Sequence, residues 1–389
     1  MIITRKIIKE DADYQVRKLL SYCFTDTVGW IERLFPLYNN ESFHGIYSGK
    51  NLSSCLLSRN YKASLYNSVQ PLNGIACVAS WPEKRNQGHV RRLITEVISD
   101  EYREGKIFSA LYPFKFQFYE QFGYGMISGF HSCLVSPGNL KVMGKPAGEF
   151  IRFNESEEQL ADIFAIRDQW TADYNFGIQS SRYPLEKYIA DIQWQKGHEY
   201  LYIREGNCKA NIRFTLHTVG EHQMRLSIQK IAWADAESFQ ALIYFLHTHR
   251  DQCSQIEWRL PSNLPLSLIL YEPRINMMIQ HHWMARPLNV MKIIELKLQQ
   301  NPLSGNIIFS IKDEIIADNT GTYLIDGNTL KKEKFNDTNT IPFPIFSSLL
   351  FGGCTPGDLK LTGLFTQKFL DPGNQFFRKE YNLYLSESF

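Results

Sequence analysis

The sequence predicts an α+β protein in three parts, and three observations predict it. A strand–helix–strand passage runs from Leu72 to Leu111, with Val90, Leu93, Ile94, Val97 and Ile98 at helical spacing between two apolar runs. The same order and length return between Gln223 and Leu260. After about residue 286 the rhythm changes to short strands and short helices around an Asp326-Gly327-Asn328 turn. Strand and helix periods that alternate in this way build mixed sheets with flanking helices. The chain has 389 residues, and at roughly 150 per domain two to three domains are expected. The divisions read 1–140, 150–285 and 286–389, with Ser136-Pro137-Gly138 and the stretch from Gly144 to Gly148 as linker.

In the first part, Asp11 to Phe24 places Val16, Leu19, Leu20 and Cys23 on one helical face, and Phe43 to Tyr47 and Ser54 to Arg59 read as strands. Leu72 to Trp81 is a strand of small and β-branched residues, and the helix that opens near Gly88 is ended by Gly105. Ile107 to Leu111 is the next strand. Pro113 breaks the pattern, Lys115 to Gln121 is a short helix, and Gly123-Tyr124-Gly125 turns into a last strand. The second part repeats the scheme. Leu160 to Asp173 is helical, Tyr200 to Arg204, Asn211 to Thr218 and Gln223 to Trp233 are strands, Glu237 to Cys253 is a helix, and Gln255 to Leu260 is a strand. Its turn, Trp233-Ala234-Asp235-Ala236-Glu237, holds neither glycine nor arginine, so it reads as a divergent copy without the first part's loop. In the third part Val290 to Gln299 is a helix or strand, Ile307 to Lys312 and Thr322 to Asp326 are strands, and Pro342 to Phe351 and Gly357 to Leu361 are helical.

Composition removes several classes of function. Lys and Arg total 42 against 40 Asp and Glu, a net charge of +2 that gives no footing for nucleic acid or an anionic membrane surface. No apolar run approaches the roughly 18 residues of a membrane helix. The start, Met1 to Asp11, has no signal-peptide core, so a cytoplasmic location is expected. Seven cysteines, an odd number without a CxxC, fit reduced thiols rather than a disulfide frame. His281-His282 is the lone His pair, and adjacent side chains point different ways, so no metal is expected.

Two motifs carry chemistry. The first is Val78-Ala79-Ser80-Trp81-Pro82-Glu83-Lys84-Arg85-Asn86-Gln87-Gly88-His89-Val90-Arg91. A strand feeds a turn with Arg-x-x-Gly and then a helix, whose first N–H groups lack partners and carry the positive end of the dipole. A glycine there lets backbone close on a pyrophosphate, and Arg85 and Arg91 add charge-assisted contacts. A plain strand-to-helix turn has the same wording. The second motif is Tyr112-Pro113-Phe114-Lys115-Phe116-Gln117-Phe118-Tyr119-Glu120-Gln121-Phe122-Gly123-Tyr124-Gly125.

Together the two motifs resemble the acyl-CoA-binding loop and the tyrosine helix of the GNAT acetyltransferases. The F-Y-x-x-F-G-Y-G wording, the loop-less second copy, the third α+β part and the terminal Phe389 resemble the Eis (enhanced intracellular survival) family over the whole length. That resemblance implies tandem GNAT domains, the second degenerate, and a sterol-carrier-protein-like C-terminal domain. It implies a homo-oligomer, a hexamer, that moves acetyl groups from acetyl-CoA to a small-molecule or peptide amine, including aminoglycoside-like polyamines and lysines. The loop departs from the usual pattern in carrying Val90 where Gly or Ala is common, and Asn86 and Phe114-Lys115 where some members carry Arg and Ser-Glu.

Acetyl transfer to an amine needs a bound thioester, a neutral amine, a stabilised oxyanion and a proton for the leaving thiolate. The resemblance assigns Val78, Ala79 and Ser80 to the pantetheine arm, with the Val78 N–H as oxyanion donor. It assigns Arg85, Asn86, Gln87, Gly88, His89, Val90 and Arg91 to the pyrophosphate, and Phe114 and Lys115 to further coenzyme contact. Tyr119 matches the general acid, since a phenol of pKa about 10 keeps its proton at neutral pH; the alternative is a core tyrosine. The carboxylate of Phe389 matches the base, the alternative being a frayed tail. Tyr384 and Leu385 are apolar enough to anchor it. Asp26 matches an acid facing the acceptor, or is a helix cap or turn residue, and Trp30 lines the pocket or belongs to the core. Cys77 invites a nucleophile reading, but no His base is placed for it. The competing class is a lipid- or coenzyme-binding assembly protein whose transferase site has decayed.

Overall fold

In the computed structural model the described residues are 2–7, 9–24, 43–127, 130–179, 184–221, 223–261, 263–337, 339–364, 371–380 and 382–384. The chain opens with strand β1 (Ile2–Lys6) and helix α1 (Lys9–Cys23). Then come β2 (Phe43–Ser48), a long hairpin of β3 (Asn51–Leu65) and β4 (Ser68–Ser80), α2 (His89–Arg103), β5 (Phe108–Leu111), the short α3 (Phe116–Glu120) and β6 (Gly125–Met126). Strand alternation sends Cys55 and Leu57 into a core with Val16, Leu19 and Leu20 of α1, and Leu56 into a core with Leu93, Ile94, Val97 and Ile98 of α2. One helix therefore covers each face of the sheet.

The next strand, β7 (Phe130–Val135), joins a different sheet. It is followed by β8 (Glu149–Arg152), α4 (Glu157–Ala172), α5 (Leu185–Gln195), β9 (Gly197–Arg204), β10 (Asn207–Gly220), β11 (Gln223–Trp233), α6 (Ala236–His247), β12 (Cys253–Leu260) and β13 (Met277–Gln280). The order in this sheet is β13-β7-β12-β11-β10-β9-β8, and β11 and β12 are its parallel pair. Leu242, Ile243 and Leu246 of α6 pack into a core with Ile212, Leu226, Ile256 and Trp258.

β14 (Met284–Pro287) returns to the first sheet, whose order is β1-β2-β3-β4-β5-β14-β6 with β4 and β5 parallel. Beyond it lie α7 (Val290–Gln300), β15 (Asn306–Ile311), β16 (Gly321–Asp326), β17 (Thr329–Glu333), β18 (Thr340–Ile341), α8 (Phe343–Leu350), α9 (Pro356–Thr362) and α10 (Asp371–Phe376). The four strands form a sheet ordered β17-β16-β15-β18, with Phe309 and Tyr323 stacked at 5.5 Å beside Phe346 and Phe377.

Two compact units result. One holds residues 1–128, 281–381 and 387–389, the other 129–280 and 382–386. This differs from the three successive parts read from the sequence in three respects. The strand after Gly125 contributes Gly125–Met126 to the first sheet, while Phe130–Val135 pairs with Ile256–Leu260 and Met277–Gln280 in the second. Ser136-Pro137-Gly138 is no free linker: it opens a short 3₁₀ turn whose Pro137 is buried, followed by a buried Leu140. The residues after 286 pack with the first 128 in one unit, because apolar side chains such as Leu288 and Ile316 enter the same core as Tyr119 and Tyr124.

Candidate active site

β4 and β5 run parallel only from Leu72↔Phe108 to Ile75↔Leu111. Past Ile75 the two strands are no longer paired, and β4 continues alone on that side to Ser80. On its other side β4 stays paired to β3, but with a bulge: Ala76 faces Leu57 and Ala79 faces Cys55, so Cys77 and Val78 together oppose Leu56. Cys77 takes a φ of 50° to make it. The bulge re-aims the backbone of Val78 to Ser80 where the ladder with β5 has opened, which is a slot bordered by backbone polar groups. Val78 and Ser80 are half-buried and Ala79 is buried. Ser80 is held by Ser54 Oγ, which donates to its hydroxyl at 2.9 Å. Burial pushes the Cys77 thiol up to about 12, against a smaller opposing pull from Arg59, so it supplies no thiolate at neutral pH.

From Ser80 the chain makes a single 3₁₀ turn at Pro82–Lys84 and reaches Gly88, the N-cap of α2. Gly88 sits at φ 77°, a left-handed conformation that favours glycine, and a Cβ there would meet open space. With no side chain it cannot cap, and the first turn of α2 contains no acid. Arg85, Asn86, Gln87 and Gly88 are all exposed. The Arg85 Nε donates to Ser80 O at 3.4 Å, and the Gln87 amide donates to Glu83 O at 2.8 Å. A bare helix N-terminus under an exposed arginine is a place for an anion.

Two residues of this motif point elsewhere. The His89 ring is buried, among the described residues both its nitrogens are unpartnered, and burial with the nearby Lys84 and Arg92 keeps it below its ordinary pKa. His89 is the first residue of α2, so its backbone N–H belongs to the uncapped helix start. The Arg91 guanidinium donates to Gln121 Oε1 and lies 5.8 Å over the Phe122 ring, tying α2 to the end of the tyrosine helix. Val90 packs partly against the core, which is how the bulkier residue is absorbed.

Tyr119 lies on α3 and is 2% exposed. Its ring meets Phe118 edge-on at 5.1 Å, Phe114 at 5.5 Å and Tyr124 at 6.2 Å. Among the described residues its hydroxyl has no hydrogen-bond partner. Burial, with a smaller contribution from Tyr124, holds the phenol well above its ordinary value, so it stays protonated. Phe114 and Lys115 are exposed at the mouth of the β5–α3 turn. Beneath Tyr119 runs a buried chain that the sequence did not announce. Tyr124 OH and Ser109 Oγ are 2.7 Å apart, Ser109 donates to Asn73 Oδ1 (2.8 Å), Asn73 donates to Ser58 Oγ (2.7 Å), and Ser58 donates to Glu101 Oε1 (2.5 Å). Each hydroxyl has one proton, so the Tyr124 proton is the one committed to Ser109. Scattered polar residues at inward strand positions were the available signal.

The second unit repeats the frame and closes it. Its parallel ladder ends at Ser227↔Glu257, and β11 is bulged at Gln229, between Phe214↔Ile228 and Arg213↔Lys230. α6 is capped by Asp235, whose carboxylate accepts from Ser238 N at 2.8 Å, while Asp235 N donates to the Ser238 hydroxyl at 3.0 Å. Arg204 bridges Asp235 at 2.9 Å and Glu237 at 2.7 Å. After β12 there is a 3₁₀ turn, Leu266–Ile269, in place of a tyrosine helix.

Of the remaining candidates, Asp26, Trp30, Leu385 and Phe389 lie outside the described residues. The tail before Phe389 is described to Tyr384 and is tied to the second unit. Asn175 N donates to Asn382 O at 2.8 Å, Tyr384 N donates to Asn175 O at 3.1 Å, and the Tyr384 ring lies 5.2 Å from Trp170 and 5.6 Å from Tyr174. Among the described residues no group of three His, Cys, Asp or Glu is placed to hold a metal.

The family described as acetyltransferase (GNAT) domain matches residues 4–127, and a second family of the same description matches residues 185–287. No curated protein matches the sequence. Among solved structures, a GCN5-related N-acetyltransferase from Anabaena variabilis is 20% identical over 98% of this chain and 99% of its own, with a TM-score of 0.81. Eis1 from Mycobacterium abscessus is 16% identical over the full length of both chains, with a TM-score of 0.79. A conserved protein of Enterococcus faecalis, described as a probable N-acyltransferase, is 16% identical over 97% of this chain and 96% of its own, with a TM-score of 0.78. With a GNAT domain matched at residues 4–127 and another at 185–287, the chain carries two acetyltransferase (GNAT) domains, and it shares the fold of Eis1 from end to end.

Proposed function

We propose that this acyltransferase carries an acetyl group from acetyl-CoA to a primary amine by direct attack, in the first unit alone. The observation that supports the reading best is the pairing of an opened, bulged strand at Val78 to Ser80 with a bare helix N-terminus at Gly88. A pantetheine arm can hydrogen-bond along the strand, and a pyrophosphate can take the N–H groups at the start of α2. Arg85, exposed above that turn, adds charge. Bound there, acetyl-CoA supplies an acyl group activated as a thioester. The Val78 N–H then serves as donor to the acyl oxygen, and Tyr119, held protonated by burial, serves as proton donor to the leaving sulfur. Phe389 is proposed as the base through its terminal carboxylate, and Asp26 and Trp30 as acceptor-facing residues.

The acceptor classes proposed are aminoglycoside-like polyamines, lysine side chains and N-terminal amines. A closed homo-oligomer, a hexamer, a sterol-carrier-like C-terminal domain and a cytoplasmic site of action are proposed on the resemblance to the Eis family. No described helix is long and apolar enough to cross a membrane. The test is calorimetry with acetyl-CoA followed by thiol release with kanamycin, spermidine and a lysine peptide. One coenzyme per chain and turnover with at least one amine are expected. Saturable binding without turnover would favour the assembly-protein reading, and a stoichiometry of two would overturn the assignment to one unit.

A further inference from the structure

α3, the helix that carries Tyr119, is five residues long and has no side-chain cap at Lys115. A helix this short does not hold itself in place. Its C-terminal end is gripped from outside. The Arg286 guanidinium donates to Phe122 O, and the Ser347 hydroxyl donates to Gly123 O at 2.7 Å. Arg286 is fully buried on β14, 2.6 Å from Asp313. Asp313 is itself fixed by the N–H groups of Ile315 and Ile316 and by the Asn319 amide, at 2.9–3.1 Å. The Phe343 ring covers the guanidinium at 5.1 Å. Gly123 takes a φ of 81°, and a Cβ on it would lie 2.7 Å from Phe343 Cδ1 and 3.2 Å from Arg286 Nη1. The turn after the tyrosine helix is thus shaped to admit this arginine.

We propose that Arg286 is a positioning residue for Tyr119, a clamp that fixes the tyrosine helix through the Phe122 carbonyl, with Ser347 as its second jaw. The proposal rests on the reading of Tyr119 as proton donor. Arg286 acts by place rather than by charge. Its charge opposes, without overcoming, the burial that raises the Tyr124 phenol, and it is not among the influences on Tyr119, whose pKa answers to burial and Tyr124. Asp313 makes a charged residue affordable here, and a planar fork reaches a carbonyl and a carboxylate at once where an ammonium does not.

The experiment compares Arg286→Lys and Ser347→Ala, alone and with Tyr119→Phe. Arg286→Lys keeps the charge beside Asp313 and loses the fork, and Ser347→Ala leaves the ion pair whole should the first variant fail to fold. Protein labelled with ring-¹³C tyrosine gives a Tyr119 signal, identified by its loss in Tyr119→Phe. That signal is expected to broaden or split in Arg286→Lys, and less so in Ser347→Ala, with acetyl-CoA affinity by calorimetry within twofold of wild type. With the fastest amine of the panel, kcat is expected to fall ten- to a hundredfold in Arg286→Lys and not to fall further when that change is added to Tyr119→Phe. An unchanged Tyr119 signal in both variants overturns the clamp, as does an equal loss of kcat in both backgrounds. A normal kcat in Tyr119→Phe alone overturns the proton-donor reading, and the tyrosine signal still decides whether Arg286 positions the ring.

Discussion

Gly88 and Asp235 stand at the same place in two sheets built alike, and they treat the helix that follows in opposite ways. In each unit a parallel ladder stops, the central strand that leads to the helix bulges two residues later, at Cys77 or Gln229, and the chain turns into that helix. Gly88 leaves the N–H groups of that helix bare. Asp235 brings its own carboxylate to them and binds Arg204 on the other side. In the second unit the helix start is taken up by protein, and a single carboxylate at the N-cap is enough to do so. The difference extends to the chemistry. Tyr119 follows the first parallel strand, whereas the second is followed by a 3₁₀ turn with Leu266 buried and Leu268 exposed. The opened slot persists in both units, so it is the frame of the fold. On the proposed function, the bare N-terminus and the phenol separate a reactive copy from a structural one.

The comparison can be broken most sharply at the phenol. Tyr119→Phe removes one proton and keeps the ring contacts with Phe114 and Phe118, so kcat is expected to drop about 10²- to 10⁴-fold with coenzyme affinity unchanged. Rapid-mixing kinetics of thiol release check it, and an unchanged kcat would make the first unit's tyrosine as structural as the second unit's turn. Gly88→Asp gives the first unit the second unit's cap. It forces a side chain into a left-handed backbone and sets a carboxylate against a phosphate site, and a loss of acetyl-CoA affinity of about a hundredfold is expected by calorimetry.

A pH profile sharpens the same point. Because burial raises the Tyr119 phenol, the folded enzyme keeps this proton through and beyond pH 10, and kcat shows no falling limb from it between pH 7 and 10. The sign for stability is fixed as well. A neutral group favoured by folding contributes below its unfolded pKa of about 10 and loses that contribution as pH rises past it. A falling kcat limb below pH 10 that disappears in Tyr119→Phe would contradict the burial. The smallest effect belongs to Asp235→Ala, which removes the cap of α6 and costs about 1 kcal/mol by urea unfolding, with still one coenzyme per chain.

What the sequence disclosed and what it hid divide along physical lines. Helical spacing located α2, and Gly88 and Tyr119 were legible because a loop, a helix start and a short aromatic helix are local features with local residue demands. The absence of glycine between Trp233 and Glu237 marked the second copy as closed, and Asp235 supplies the reason. The bulge at Cys77 left no trace, since a non-glycine residue in a left-handed conformation is imposed by the strands around it. The inward turn of the His89 ring and the diversion of Arg91 to Gln121 were equally hidden, because both are decided by what packs above a helix start. Arg286 and Asp313 are 164 and 27 residues from the groups they hold, Phe122 O and Arg286 itself, and no window of sequence joins them. The divide read at 285/286 cuts through Met284–Pro287, a single strand that pairs with Phe108–Leu111 in the first sheet.

That last strand sets a clock on biosynthesis. β5 and β6 in the first sheet are separated by β14, which leaves the ribosome more than 150 residues after β6. At roughly 5–20 residues per second the sheet waits about ten seconds or longer for its missing strand. The second sheet has no such delay, for all of its strands lie within the contiguous stretch 130–280. The second unit is therefore expected to mature first, while the first sheet stands open on the nascent chain. Ribosome-stalled chains halted shortly after residue 280 should yield a protease-resistant fragment spanning the second unit and a still-sensitive N-terminal region, and resistance in the reverse order would show that the first sheet closes around some other partner first.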